Sequence, residues 1–273
     1  MRINDAFSPI FRRIQQDSIF VYAAHISFYI IISMVPFIMV LLGISEYILP
    51  LWSNEIFAAL LPPVPSAVLP LLKMITEELF SRRTQLFLPF SAASLIFTAS
   101  RGIAAGMRGV RRIYRGDDIG FIRSLFRSVL YTLLFLGIII LVLLLITYTV
   151  LISHSSDIAC RLFRSFAGSG IIAFCLVTLA FFLVYLLFCA RRLPFKTHIS
   201  GALTATLSQW IFSAGYSFYI DHFGNYSAVY GSLTAIVLLF LWTYFSTVIF
   251  LLGAELNIIL YEYLQKNRNY KNV

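Results

Sequence analysis

The residues that could carry catalytic chemistry are scattered along this chain. The histidines at positions 25, 154, 198 and 222 lie far apart and form no HExxH or HxH pattern. The sequence therefore predicts no metal site and no bound cofactor. No GxSxG, Walker-type GxxxxGK or GxGxxG run is present either. We expect a protein that is not an enzyme, and in particular one without metal-dependent nuclease activity.

Polar residues inside or beside apolar stretches are more informative, because such groups are costly in a membrane and are often functional. Gln209 lies in the middle of one stretch, where an interhelical hydrogen bond is the simplest interpretation. Arg101 and Glu255 fall near the predicted ends of two others, from which each could snorkel to headgroups and water. The alternative hypothesis is that Arg101 and Glu255 form an ion pair, directly or through a neighbour such as Asn257.

The elements that position these residues are long and apolar. Crossing about 30 Å of hydrocarbon takes about 20 apolar residues in a helix. Only 12% of the chain is charged, against about 25% in a soluble domain. Five stretches lack Asp, Glu, Lys and Arg altogether: 18–45, 128–156, 165–190, 197–220 and 222–254. The sequence predicts an all-α polytopic membrane helix bundle, with one membrane domain over 1–265 and a cytoplasmic tail over 266–273.

Six transmembrane helices satisfy this pattern. They are expected at about 20–44, 84–104, 128–152, 166–190, 198–220 and 232–255. Pro36 predicts a kink or local break in the first helix, and the second helix requires Arg101 to lie near an interface. Apolar spacing within 7–14 and 66–82 predicts two short amphipathic helices at the membrane surface.

Small residues four positions apart predict where helices pack closely. Without water between membrane helices, close approach of the backbones supplies the van der Waals contact. The three pairs are Gly102 with Gly106, Gly201 with Ala205, and Gly231 with Ala235.

Basic residues orient the bundle. Of the 21 Lys and Arg residues, 16 fall on the side that carries both termini and the loops at 101–127 and 191–196. The excess of positive charge predicts that this side is cytoplasmic. The basic loop at 101–127 suits anionic lipid headgroups. Its few aromatic residues make nucleic-acid binding a poor interpretation.

Several motifs resemble the YihY/BrkB family of bacterial inner-membrane proteins. They are AAHISFY at 23–29 with Ser33 and Pro36, TASRGI at 98–103, VYGSL at 229–233, LWTY at 241–244 and LGAELN at 252–257. The resemblance covers about residues 20–260 and singles out Tyr230, Gly231, Glu255 and Asn257. One departure is Arg111, where the family often has Asn.

The resemblance implies a multi-pass protein in the bacterial inner membrane, from a family of largely unknown activity. Some members carry an old ribonuclease label, of the ribonuclease BN type, and some have been connected with envelope lipids or serum resistance. Two interpretations stay open. One is transport or flipping of a lipid or an amphiphilic solute; the other is a structural or partner-binding envelope protein without transport activity. A transporter needs polar groups lining a path between helices, whereas a scaffold can be packed solid.

The charge asymmetry yields a topology prediction. A single cysteine introduced at Gly116 should be protected in intact cells from a membrane-impermeant thiol reagent, while one at Ser53 should react. Equal labelling of the two positions from outside would contradict the orientation.

Overall fold

The structure, a computed structural model, describes residues 12–48, 88–116, 120–153, 171–189, 193–223 and 234–271. Six long helices account for most of these residues: α1 (Ile19–Ile48), α2 (Leu88–Ile113), α3 (Phe121–Ser153), α4 (Ile171–Phe188), α5 (Phe195–Phe223) and α6 (Thr234–Lys271). The described part of the chain contains no β-strand. The predicted all-α membrane bundle is therefore confirmed as a fold class.

The helices differ from the predicted spans mainly at their charged ends. The second was expected to end near 104, yet α2 continues to Ile113, and α6 continues to Lys271. Charge marks the end of an apolar stretch but not of a helix, since Arg and Lys are good helix formers. Helix α1 stays helical on both sides of Pro36, so the predicted local break is absent and a kink stays a prediction. The amphipathic helix expected at 66–82 lies outside the described residues.

Within the described ranges, four helices contain apolar stretches long enough to cross a membrane: Ile19–Val40, Leu88–Ile113, Ile122–Ile140 and Ile236–Asn267. Helix α4 contributes a shorter apolar run, Ala173–Phe188. The outer surface is apolar, with Phe90, Ile122 and Phe126 more than 70% exposed. Buried positions include Gln209 and Glu255, so the bundle is apolar outside and partly polar inside. The chain is thus a multi-pass membrane protein, and six crossings stay a prediction.

Contacts between helices place six chain segments at one end of the bundle, here called the basic end. Residues 12–18, which we call the N-terminal segment, lead into α1 at this end, and α2 finishes there. Tyr131 near the start of α3 donates to the carbonyl of Leu187 near the end of α4, at 3.2 Å. The start of α5 meets residue 257 of α6. This alternation of helix directions agrees with the parity expected for both termini on one side.

Glycines bring α1 and α2 into close contact. A Cβ added at Gly102 would lie 3.1 Å from the Cβ of Tyr29, and one at Gly109 would lie 3.2 Å from the Cβ of Tyr22. Gly106 of the same face meets the ring of Phe188 on α4. The GxxxG pair predicted from the sequence therefore serves helix packing, and Gly109 extends it by a further turn.

A second close approach joins α5 to α6. A Cβ at Gly201 would overlap the side chain of Asn257 and lie 2.5 Å from the carbonyl oxygen of Gly253. A Cβ at Gly253 would meet Ala205 at 2.8 Å and the hydroxyl of Tyr185. The predicted small-residue pair on α5 thus faces a glycine on α6, and the backbones leave no room for a side chain between them.

Gly201→Ala should destabilise the protein by about 1–3 kcal/mol, because an added methyl group must displace either Asn257 or the α6 backbone. The unfolding midpoint in detergent measures this. Gly215→Ala on the same helix is the matched control, since nothing lies within 4 Å of its added Cβ. That control should stabilise by about 0.5–1 kcal/mol through helix propensity. Equal effects of the two substitutions would contradict the close approach.

Candidate functional site

The most prominent polar feature is a set of charged residues at the basic end, which we call the ionic cluster. It joins the N-terminal segment to the ends of α2 and α6. Its members are Arg13, Asp17, Arg112, Arg115, Glu255 and Glu262. Three positive and three negative side chains balance one another at the membrane boundary.

Arg13 is the centre of this cluster. Its Nη2 lies 2.7 Å from Oε2 of Glu262, and its Nη1 lies 3.9 Å from Oε1 of Glu255. The hydrogen bond to Glu262 raises the pKa of Arg13, which therefore stays charged. Both carboxylates belong to α6, so Arg13 ties the N-terminal segment to that helix.

Turns at two helix ends bring the remaining charges into place. Arg115 has a positive φ of 49°, and Gly116 N–H donates to the Arg111 carbonyl across the end of α2 at 2.9 Å. This is the capping geometry that usually takes a glycine. It sets the Arg115 guanidinium 4.0 Å from Oε1 of Glu262. Ser18, with φ of 52°, occupies the equivalent turn before α1.

Glu255 is the most deeply buried charge of the cluster, with 2% of its surface exposed. Its Oε2 atom has no hydrogen-bond partner among the described residues. Asp17 lies beside it and interacts electrostatically with Arg115 and Arg112. Burial raises the pKa of Asp17, and those two arginines oppose the shift. Two carboxyl groups so placed repel each other when both are ionised, which favours retention of a proton between them.

Asn257, two residues after Glu255 on α6, forms a fully buried hydrogen-bonded junction beside this cluster. Its Oδ1 accepts from the backbone N–H of Gly201 at 2.9 Å, and its Nδ2 donates to the hydroxyl of Tyr114 at 2.9 Å. The ring of Tyr114 lies 6.2 Å from that of His198, which is 1% exposed. One amide therefore connects α5, α6 and the end of α2.

Gln209 anchors a second polar group farther along α5. Its Nε2 donates to Ser246 at 2.8 Å and to Ser213 at 3.3 Å. Trp242 Nε1 donates to the same Ser213 oxygen at 3.2 Å. The interhelical hydrogen bond predicted for Gln209 is thus present between α5 and α6.

The predicted Arg101–Glu255 ion pair does not form. Glu255 faces Arg13, whereas the guanidinium carbon of Arg101 lies 5.2 Å from the ring centroid of Phe97. Because α2 continues to Ile113, Arg101 lies about 18 Å from the helix end, too deep to reach the level of Glu255. The hypothesis was wrong because it took the loss of apolar character after position 100 as the end of the helix.

Arg13, Asp17, Tyr114 and His198 are site residues that sequence reasoning did not single out. Arg13 and Asp17 precede the first apolar stretch, where charge is expected at a membrane boundary. Nothing in their spacing indicates that they reach α6. Tyr230 and Gly231 lie outside the described residues, and a role for Pro36 stays a prediction.

The cluster is suited to holding charge rather than to covalent chemistry. No group of three or more His, Cys, Asp or Glu side chains in the described ranges is placed to hold a metal ion. The carboxyl pair can share a proton, and the three guanidinium groups can meet an anion.

The helices and the buried polar junctions define a multi-pass α-helical membrane protein with an ionic cluster at one end. A family model described as virulence factor BrkB matches residues 10–272. The chain belongs to this family, as the motifs in its sequence predicted.

Relatives cover most of the chain. It is 28% identical over 247 residues to the ribonuclease-like protein YfkH of Bacillus subtilis (strain 168), covering 88% of this chain and 89% of that one. It is 26% identical over 268 residues to a UPF0761 membrane protein of Alteromonas mediterranea, covering 93% and 87%. A UPF0761 membrane protein of Yersinia pseudotuberculosis is 39% identical over 94 residues, 34% of this chain and 32% of the relative. No solved structure matches.

Replacing Arg13 tests whether the ionic cluster holds the N-terminal segment. Arg13→Gln should lower stability by about 1–3 kcal/mol, because a charged hydrogen bond is lost and Glu255 loses its nearest positive charge. Thermal unfolding in detergent would measure this as a lower midpoint. Arg12→Gln is the control, since Arg12 is the exposed neighbour on the same helical turn. A loss as large in the control as in Arg13→Gln would contradict the role given to Arg13.

Proposed function

We propose that this protein moves a lipid or other amphiphilic solute across the bacterial inner membrane, with the basic end in the cytoplasm. The supporting observation is a series of buried polar atoms inside the bundle that have no partner among the described residues. The atoms are His198 Nδ1, Gln209 Oε1, Trp210 Nε1 and Glu255 Oε2. A polar atom buried without a partner costs about 1–3 kcal/mol, so such atoms favour a bundle that binds polar groups.

The depth of these atoms supports a path rather than a single site. His198 and Gln209 lie on the same helix, about 16 Å apart along its axis. Both side chains are at least nine-tenths buried, at 1% and 5% exposure. Glu255 lies at the level of the ionic cluster. Polar groups therefore occur from the basic end to the middle of the bundle.

The free acceptor at Gln209 follows from the surrounding hydrogen bonds. The Ser246 hydroxyl donates to the Trp242 carbonyl at 2.7 Å, so its oxygen must accept from the Gln209 amide nitrogen. That contact fixes the orientation of the amide and leaves Oε1 as an acceptor without a donor. A hydroxyl or amino group of a passing solute could donate to it.

The structural alternative has its own support in the close helix contacts. Gly201 and Gly253 leave no space between α5 and α6. A transporter of this design must therefore separate helices at or near this contact during its cycle. A scaffold would keep them together.

Reconstitution distinguishes the two. Liposomes that contain the protein and a fluorescent lipid should lose more fluorescence to an impermeant reductant than the outer leaflet alone accounts for. Gln209→Leu should slow this exchange by up to about tenfold, because one hydrogen bond is worth about 0.5–1.5 kcal/mol. Ser208→Ala, at the exposed neighbouring position of α5, should leave the rate unchanged.

The unfolding midpoint of each variant in detergent separates lost activity from lost folding. Protein-containing liposomes that behave like empty ones would overturn the proposal and favour the structural alternative. Equal slowing in Gln209→Leu and Ser208→Ala would exclude a path at Gln209.

A further inference from the structure

Three arginines of α2 share one helical face, which we call the arginine stripe: Arg101, Arg108 and Arg112. At about 100° per residue they fall within about 20° of a common line along the helix. The glycines that pack α2 against α1 and α4 lie about 100° away around the helix. The stripe is therefore separate from that packing surface.

The stripe runs from the basic end to the middle of α2. Arg112 lies at the ionic cluster, where its Nη2 donates to the carbonyl of Gln16 at 3.1 Å. Arg108 is exposed and lies about two helical turns from Arg101. Arg101 is half-buried at the midpoint of α2. The rise from Arg108 to Arg101 is about 10 Å.

Arg101 has no carboxylate within ion-pair distance in the described part of the chain, and neither has Arg108. The Arg101 guanidinium lies against Phe97, which is 60% exposed on the outer surface. An arginine at the centre of a membrane helix is costly to insert. The cost falls when water and headgroups are drawn inward to meet the charge.

We propose that the arginine stripe binds the phosphate groups of anionic phospholipids and guides them from the basic end toward the middle of α2. Guanidinium groups recognise phosphate oxygens through paired, charge-assisted hydrogen bonds. The neighbouring exposed Phe97 provides an apolar surface for acyl chains. Arg112 also belongs to the ionic cluster, where Asp17 offsets its charge. Arg101 and Arg108 have no such carboxylate among the described residues, so these two arginines are the part of the stripe that matches an anionic headgroup.

Lipid binding to the stripe does not depend on transport. Its use as the entry point for a transported lipid does rest on the proposed function. The binding test uses the full chain in bilayers that contain spin-labelled phosphatidylglycerol or spin-labelled phosphatidylcholine. The fraction of each lipid immobilised at the protein surface gives its relative affinity.

The wild-type protein should prefer phosphatidylglycerol, and raised salt should weaken that preference. The double variant Arg101→Gln with Arg108→Gln should lose about fivefold of the preference, with phosphatidylcholine unchanged. Arg101→Lys with Arg108→Lys should retain part of it, because charge is kept while the paired hydrogen bonds are lost. The control is Arg123→Gln, an exposed arginine on α3 that lies off the stripe, and it should keep the preference.

An unchanged preference in the double glutamine variant would overturn the proposal. An equal loss in Arg123→Gln would also overturn it, since any surface charge would then suffice. Lipid exchange measured on the same samples separates this inference from the proposed function. Selective lipid binding without lipid exchange supports the proposal for the arginine stripe and contradicts the proposed transport. Exchange without selective binding supports transport and contradicts the proposal for the stripe.

Discussion

A membrane offers no water to a buried polar group, and this constraint governs most of the described contacts. Helix formation satisfies the hydrogen-bonding groups of the backbone, so the polar side chains must find partners within their own helix or on neighbouring helices. Several hydroxyl groups donate a hydrogen bond to a carbonyl of their own helix, as Thr132 does to the Ser128 carbonyl at 2.7 Å. Amides and phenols connect different helices, and the Asn257 junction with Gly201 and Tyr114 is the most completely buried example.

Helix α6 gathers most of these contacts. Thr247 donates to the Ala23 carbonyl of α1 at 3.1 Å, and the Phe250 carbonyl accepts from Tyr185 of α4 at 2.7 Å. Farther along, Glu255 and Glu262 face the N-terminal segment. Helix α6 thus contacts α1, α4, α5 and the N-terminal segment. The LGAELN motif lies on this helix. Its glycine permits close packing, its glutamate faces the ionic cluster, and its asparagine holds the junction.

The ionic cluster and the arginine stripe meet at the basic end. The ionic cluster balances its own charges and fixes the N-terminal segment over the bundle. The arginine stripe shares Arg112 with this cluster and continues to the middle of α2 through Arg108 and Arg101, which have no carboxylate within ion-pair distance among the described residues. A protein that only needed orientation in the membrane would need basic residues at the boundary alone. Arg101 at the midpoint of α2 and the polar atoms of α5 and α6 without partners among the described residues are the observations on which the proposed handling of amphiphiles rests.

The sequence by itself determined the membrane character, the helical class, the family and the small-residue packing of Gly102, Gly106 and Gly201. These four properties depend on local composition and on the spacing of nearby residues, both of which can be read from the sequence. Only the tertiary structure decided that Glu255 meets Arg13 and not Arg101, and that Asn257 joins Gly201 to Tyr114. Both outcomes depend on helix length and on the turns at Ser18 and Arg115. These pairs are separated by 56 or more positions and come together only after helices of the correct length have packed, so spacing along the chain could not reveal them.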